Sequence, residues 1–431
     1  MRKILLATAA GFAAFVADGV APAKAQAPAA AAAPQPGFSA SVTGRLRFHG
    51  AVVGQDGDSV AGGAKLSSFD FNNYGRIRVD MNGRNADGII YGGRLEIRHA
   101  VQTNNPTSNA NLFFRVANGF IGTPSLGQLR FGSNGVLAVP NMFVGHIMGS
   151  IGTGLLDGDG PDFWYAGPPA GGNIRGAFAT SFWYSASGNL NRATGIGYYS
   201  PQFFGFDFGV SYAPSENGFL GGCNDANAPL AQCDRISTVG ANADHRYRNI
   251  IDAMLRYRGT FGPVGVAASG GLRTADTTNA VGAATARKNP TVGIIGAEVT
   301  YAGFTVGGIT SFGSASRGFA SGAGILPSTG NNDGMFSWQL GARYTFGAFT
   351  VGAAYHELRS EGSTAATDPA NRKERGFGIG GSYALGPGIA LYAEYLNSRV
   401  SETGVDFDGT RAGIQDKFNA QLFLLGVGLG F

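Results

Sequence analysis

The chain is poor in charge, poor in cysteine and without long apolar runs. Only 14% of its 431 residues are charged, and the formal net charge is +4. No run of lysines and arginines marks a nucleic-acid surface, so nucleic acid is excluded as a partner. After the N-terminal segment, no stretch approaches the ~18 consecutive apolar residues of a membrane-spanning helix. Any crossing of a bilayer therefore falls to strands. Five histidines, His49, His99, His146, His245 and His356, are scattered without metal-ligand spacing. No Gly-x-Ser-x-Gly or His-Glu-x-x-His occurs, so the common hydrolytic machineries are missing. A lipid hydrolase built on a barrel would need a Ser/His pair on one lipid-facing rim, and His99, the best placed, has no partner. An enzyme is not expected.

Two residue classes are abundant instead. Glycine is 71 of 431, against a usual share of about 7%. Aromatics reach 11%. With charge this low, the balance suits a membrane barrel: aromatics outside, small residues inside, polar loops averaging out the hydropathy.

Residues 1–25 read as a secretory signal. Arg2-Lys3 is the basic start, Ile4 to Ala17 the apolar core, and Ala23-Lys24-Ala25 a small-x-small cleavage site. Removing Arg2, Lys3, Asp18 and Lys24 with it lowers the charge from +4 to +2. Residues 26–37 are an Ala/Pro-rich lead-in expected to be disordered, and 38–431 form the folded unit.

From Phe38 onward the pattern has a period of two, which is the period of a strand. Phe38, Ala40, Val42, Leu46, Phe48 and Val52 share one face, and Arg45, Arg47 and His49 the other. The arginine face needs water, so the apolar face looks outward into lipid. The second strand, about 67–82, puts Ile77, Val79 and Met81 out and Arg76, Arg78 and Asp80 in. The third, about 89–102, puts Leu95 and Ile97 out and Arg94, Glu96 and Arg98 in. The fourth, about 112–122, reads Phe114, Val116 and Phe120 out and Arg115 in, with Asn118 interrupting the outer face as a candidate subunit contact. The fifth is short, with Leu129 and Phe131 out and Gln128 and Arg130 in. After an interruption from 133 to about 191, strand pairs resume and end on a strand at about 417–431. Short turns alternate with long polar loops, as in outer-membrane barrels. The count is about sixteen strands, enough to enclose an aqueous channel.

Within the last strand, Phe423, Leu425, Val427, Leu429 and Phe431 fall at every second position. This stretch resembles the C-terminal signature that the assembly machinery of Gram-negative outer-membrane barrels reads, with Phe431 as the assembly signal. Tyr198-Tyr199-Ser200-Pro201-Gln202-Phe203-Phe204-Gly205-Phe206 resembles the strand-turn-strand just after the third loop of the Gram-negative general porin family, particularly its α-proteobacterial branch. The resemblance covers the whole mature chain. It implies an all-β transmembrane barrel of about 16 antiparallel strands, a homotrimer in outer-membrane lipid that passes small hydrophilic solutes and ions by diffusion. The family's third long loop, about 133–191 here, folds into the lumen and sets acids against a basic wall. Asp157, Asp159 and Asp162 stand at the matching position.

The basic wall follows from the strands alone. Midpoints of antiparallel neighbours lie side by side, so Arg45, Arg76 and Arg94 are expected at one height, with Arg47, Arg78 and Arg98 above or below. Arg130 stands at the root of the lumenal loop, and Asp80 and Glu96 are local partners. Opposed rows of charge would screen solutes by size, charge and dipole. On a later strand, Arg248, Asp252, Arg256 and Arg258 are expected inward, lining a vestibule. Asp157-Gly-Asp159-Gly-Pro-Asp162 resembles part of a calcium loop but lacks its twelfth-position Glu, so a turn is the better reading and no cofactor is expected. Ca²⁺ among loop carboxylates is the one option left. Two other channel types stay open. An anion-preferring channel fits the arginine excess, whereas a plugged structural barrel would want a plug domain before Phe38.

Cys223 and Cys233 lie close together in a Gly/Asn/Asp/Pro-rich loop of an exported chain, so a local disulfide is expected. Thiol titration of non-reduced, denatured protein should find no free thiol, and two free thiols would rule the bond out.

Overall fold

The computed structural model describes residues 36–56, 67–99, 112–147, 193–215, 245–279, 289–314, 334–360, 372–402 and 417–431. Its strands are β1 (Gly37–Gln55), β2 (Phe69–Arg84), β3 (Ile90–His99), β4 (Leu112–Thr123), β5 (Gly127–Ser133), β6 (Thr194–Tyr199), β7 (Phe206–Ser215) and β8 (His245–Phe261). They continue as β9 (Val264–Asn279), β10 (Thr291–Tyr301), β11 (Phe304–Ser314), β12 (Met335–Phe346), β13 (Phe349–Ser360), β14 (Arg372–Gly386), β15 (Ile389–Glu402) and β16 (Lys417–Gly430). One short helix, α1 (Ala138–Met142), follows β5. Each strand pairs antiparallel with its sequence neighbours, and β1 closes on β16, so the sheet is a closed sixteen-strand barrel.

Closure is what lets this backbone sit in hydrocarbon, because no N–H or C=O is left on an edge. The seam lies where the sequence ends. Gly44 N–H donates to Phe431 O at 2.9 Å, and Phe431 N–H returns to Gly44 O at 3.2 Å. The Phe431 ring lies over Gly44, where any Cβ would collide with it. That ring is 77% exposed on the outer face, at the end of the barrel with the short turns.

The period-two pattern becomes two surfaces. Phe423, Leu425 and Leu429 on β16 are exposed on the outside, as are Val42, Leu46 and Phe48 on β1. Aromatics collect into a girdle near the short turns. Phe304 stacks on Tyr344 with centroids 4.0 Å apart, and the chain continues through Phe346, Phe349 and Tyr383 at 5.2, 5.4 and 4.5 Å. A second belt runs toward the long loops, where Trp338 and Tyr355 lie 5.3 Å apart and Phe377 and Tyr395 5.9 Å apart. Amphipathic rings at both interfaces frame an apolar band, as in membrane barrels.

Two bulges shift this parity. Between β3 and β4, Glu96 pairs with Val116 and Ile97 with Phe114, so Arg115 is an extra residue. Beyond it the faces exchange. Phe120 pairs with inward Gly92 and Arg130, and Asn118 with Arg94 and Gly132. The expectation that Val116 and Phe120 point outward is thereby corrected, and so is the reading of Asn118 as an outer-face break. Asn118 Nδ2 instead donates to Asn134 O at 2.5 Å, at the root of the third loop. In β8, pairing jumps from Arg248/Asp276 to Ile251/Thr274, with Asn249 at φ 50°. Asp252, Arg256 and Arg258 keep the inward register, while Arg248 moves to the outward one, opposite Asp276, against expectation.

Deleting Phe431 removes both seam hydrogen bonds, whereas Phe431→Ala removes only the ring. At about 1 kcal/mol net per bond, the deletion should lower stability by roughly 2 kcal/mol more than the alanine variant. Urea unfolding in lipid vesicles measures the difference. Equal losses would show that the ring, not the backbone seam, carries the closure.

Candidate functional site

The inner wall of β1–β3 carries the charge. The ladder sets Arg45 opposite Arg76 and Arg76 opposite Arg98, so three guanidiniums form one row across three strands. Arg94 lies lower, opposite Asp80, and the expected Arg45–Arg76–Arg94 row is corrected. The reason is stagger. β2 runs on past its last β3 partner, so the strand midpoints do not share a level. Like charges abreast repel, and two carboxylates offset the repulsion. Glu96 accepts Arg98 Nε at 2.5 Å and lies 3.7 Å from Arg76 Nη1. Asp80 accepts Arg94 Nε at 2.6 Å and forms an ion pair with Arg78, whose Nε lies 3.0 Å away. Arg45 and Arg47 are buried on the same inner face of β1. Arg130, on β5, rests its guanidinium 4.4 Å from the ring centre of Tyr199, a cation–π contact.

The third loop begins as an apolar strip pressed on the opposite wall. After Asn134 and Gly135, both in the left-handed region, the chain turns inward. Leu137, Val139, Met142 and Phe143 are buried against Ile250, Met254, Val292 and Ile294 of β8 and β10. The first N–H groups of α1 have no helical acceptor, and the wall supplies them. Ala138 N–H donates to Ser211 Oγ at 2.8 Å and Val139 N–H to Asp252 Oδ2 at 3.0 Å. Val144 N–H then donates to Ser269 Oγ at 3.0 Å. Close approach to β10 needs glycine. A Cβ on Gly296 would strike the carbonyl of Val144, and Gly145, at φ 90°, lies on the carbonyls of Ala297 and Gly308. Ile147 reaches β11 and β12, against Gly307 and Gly341.

Asp252 anchors this seat. Arg273 grips it with two bonds, Nε to Oδ1 at 2.5 Å and Nη2 to Oδ2 at 2.7 Å, and both side chains are fully buried. Nearby, Asp207 holds Arg256 through two bonds at 3.0 and 2.6 Å and Arg258 through one at 2.8 Å.

Of the expected site residues, the seven wall arginines lie on the inner face of β1, β2, β3 and β5. Asp157, Asp159, Asp162, Cys223 and Cys233 fall outside the described residues, as do residues 1–35. Phe431 is at the seam. Sequence reasoning missed Ser211, Asp252 and Ser269 as loop anchors, because their partners lie 73, 113 and 125 residues away. One signal was available: Val136 to Val144 is too apolar for a solvated loop.

The profile of a family described as Gram-negative porin matches residues 10–403. No curated protein matches the chain. Several solved structures share the fold. The anion-selective porin from Comamonas acidovorans is 18% identical with a TM-score of 0.57, covering 92% of this chain and 100% of that one. The outer membrane channel DcaP of Acinetobacter baumannii is 14% identical with a TM-score of 0.57, covering 92% and 98%. Salmonella typhi OmpF in complex with daunomycin is 12% identical with a TM-score of 0.55, covering 91% and 97%.

Removing one partner of a buried ion pair strands the other charge at a cost of about 3–5 kcal/mol. Asp252→Ala should therefore destabilise the barrel by about that much. It should also free the base of the third loop, read as faster proteolysis within 134–192 and noisier single-channel current. Asp252→Ala with Arg273→Leu removes both charges and should recover most of the stability but not the quiet current. If the double variant is as quiet as wild type, the Val139–Asp252 bond does not hold the loop.

Proposed function

The chain belongs to the Gram-negative porin family, and we propose that its channel is screened between a basic wall and an acidic third loop. The protein is an outer-membrane diffusion channel for small hydrophilic solutes, not an enzyme. The finer reading rests on one observation: the Arg45–Arg76–Arg98 row stands on the inner wall across the lumen from the base of the third loop. In the closed ring of sixteen, β2 and β10 lie eight strands apart and face each other. The arginines occupy β1–β3, and the loop base is seated on β7–β12. Asp157, Asp159 and Asp162 follow in the same loop, and in this reading they face Arg45, Arg47, Arg76, Arg78, Arg94, Arg98 and Arg130. A transverse field across a narrow wet gap orders water and favours small polar solutes over apolar ones.

A second reading, preference for anions, is favoured by the wall itself. Among the described residues, the inner face of β1–β5 sets seven arginines beside the carboxylates Asp80 and Glu96. The family generally forms trimers, and a trimer is proposed for this chain.

Single-channel recording in a planar bilayer tests all three. Wild type should conduct in ohmic steps grouped in threes, and isolated single steps would count against the trimer. Reversal potential across a KCl gradient should be near zero for a balanced constriction and strongly anion-selective for the second reading. Arg45→Ala and Arg76→Ala should each shift the permeability ratio toward cations, on the order of twofold. Unchanged ratios would remove these residues from the constriction.

A further inference from the structure

The bulge between β3 and β4 turns one aromatic ring into the lumen. Beyond Arg115 the faces exchange, so Phe120 stands on the inner wall between Gly92 of β3 and Arg130 of β5. Its ring lies over Gly92, where a Cβ would fall 2.7 Å from Cε1. The bulge is clamped at the root of the third loop. Asn134 Nδ2 donates to Arg115 O at 3.0 Å, and Asn118 Nδ2 donates to Asn134 O at 2.5 Å. Bulges of this kind re-aim a side chain beside a site. A half-buried phenyl gains nothing from lumen water, and without the bulge its parity would place it in lipid. The neighbouring inward ring, Tyr199, already has a task. Its hydroxyl donates to Val136 O at 2.7 Å and accepts from Asn141 Nδ2 at 3.0 Å, which ties it to the loop base.

Phe120 has cationic neighbours. Arg94 flanks it on β3, opposite Asn118, and Arg130 stands directly beside it on β5. Both lie below the Arg45–Arg76–Arg98 row, toward the short turns. Arg256, on β8, reaches the loop base, with Nη1 3.5 Å from Asn141 O. Arg94 and Arg256 stand within electrostatic reach of Arg130, and both repel it. Arg94 has Asp80 at 2.6 Å, and Arg256 shares Asp207 with Arg258. Among the described residues, Arg130 has no carboxylate within ion-pair distance. It rests on the Tyr199 ring, with Gln128 Oε1 3.4 Å from its Nε and Nη2. A guanidinium edge matches a carboxylate through paired N–H groups. A phenyl matches a second ring, offset or edge-on. An inorganic anion would use the arginines and leave the ring idle, and a neutral aromatic would leave Arg130 uncompensated. A solute carrying both groups uses both.

We propose that Phe120 and Arg130 form a subsite for small aromatic carboxylates, with the solute ring on Phe120 and its carboxylate on Arg130. Arg94 and Arg256 add positive field around the carboxylate. The inference rests on the reading of the chain as a diffusion channel and gives its anion preference a solute class.

The test uses the folded protein in a planar bilayer and the concentration at which added benzoate, acetate or cyclohexanecarboxylate halves the KCl current. Benzoate should block wild type at a concentration about fivefold below that of acetate. Cyclohexanecarboxylate, apolar but not flat, should stay closer to acetate. Phe120→Ala and the gentler Phe120→Leu should each bring benzoate and acetate together. Arg130→Gln should raise both blocking concentrations about tenfold and keep their ratio. Equal block of wild type by benzoate and acetate would overturn the proposal. Equal block by benzoate and cyclohexanecarboxylate would overturn the aromatic class, and an unchanged ratio in both Phe120 variants would overturn the role of the ring. The constriction is read separately, from the reversal potential in KCl alone. If Arg45→Ala leaves that potential unmoved, the constriction reading fails while the benzoate-to-acetate ratio still decides the subsite.

Discussion

A peptide group in hydrocarbon has no water to bond with, and each unsatisfied one costs several kcal/mol. Most of this chain is arranged to meet that demand. Sixteen strands each bond to two neighbours, and the first bonds to the last. The demand also fixes where apolar residues go. With the backbone satisfied sideways, the side chains divide by parity into a lipid face and a lumen face. Gly44 is part of the same solution, since its lack of a Cβ lets the Phe431 ring lie flat on the seam.

Inside, the wall serves two different needs. The β1–β5 sector is charged, with arginines abreast and two acids between them. The β7–β12 sector is partly apolar, because a segment of the chain itself must be held there. An apolar strip alone would bind the loop without fixing its register. The polar bonds from Ser211, Asp252 and Ser269 to successive backbone N–H groups supply that register. Arg273 pairs with Asp252 and holds it aimed in a dry site, where an unpaired carboxylate would be costly.

Strand number, strand order and the outward faces were readable from the sequence because period two persists as long as a strand stays in phase. Where a bulge adds one residue, phase is lost and the reading inverts. That is why Val116, Phe120 and Arg248 lie on the faces opposite to those that simple alternation predicts. Traces of both bulges are present in the residues. Asn118 sat at an outer parity position where hydrocarbon should be, and Asn249-Ile250-Ile251 places two apolar residues in succession after a residue tolerant of positive φ. The Arg94/Arg98 exchange has a different cause. Stagger between strands is set by hairpin length and by shear around the barrel, and neither is written in any single strand.

Antiparallel register has one further consequence that depends only on which way a side chain points. It forces like charges abreast both inside, at Arg45–Arg76–Arg98, and outside, at Arg375–Arg399. On the inner face the chain answers the repulsion itself, with Glu96 between Arg76 and Arg98 and Asp80 between Arg78 and Arg94. On the outer face Glu357 stands beside Arg375, and Asn419, which donates to Asp56, stands beside Arg399. A like-charge row is thus tolerable on either face, because carboxylates of the same sheet stand against it: Glu96 inside, Glu357 and Asp56 outside.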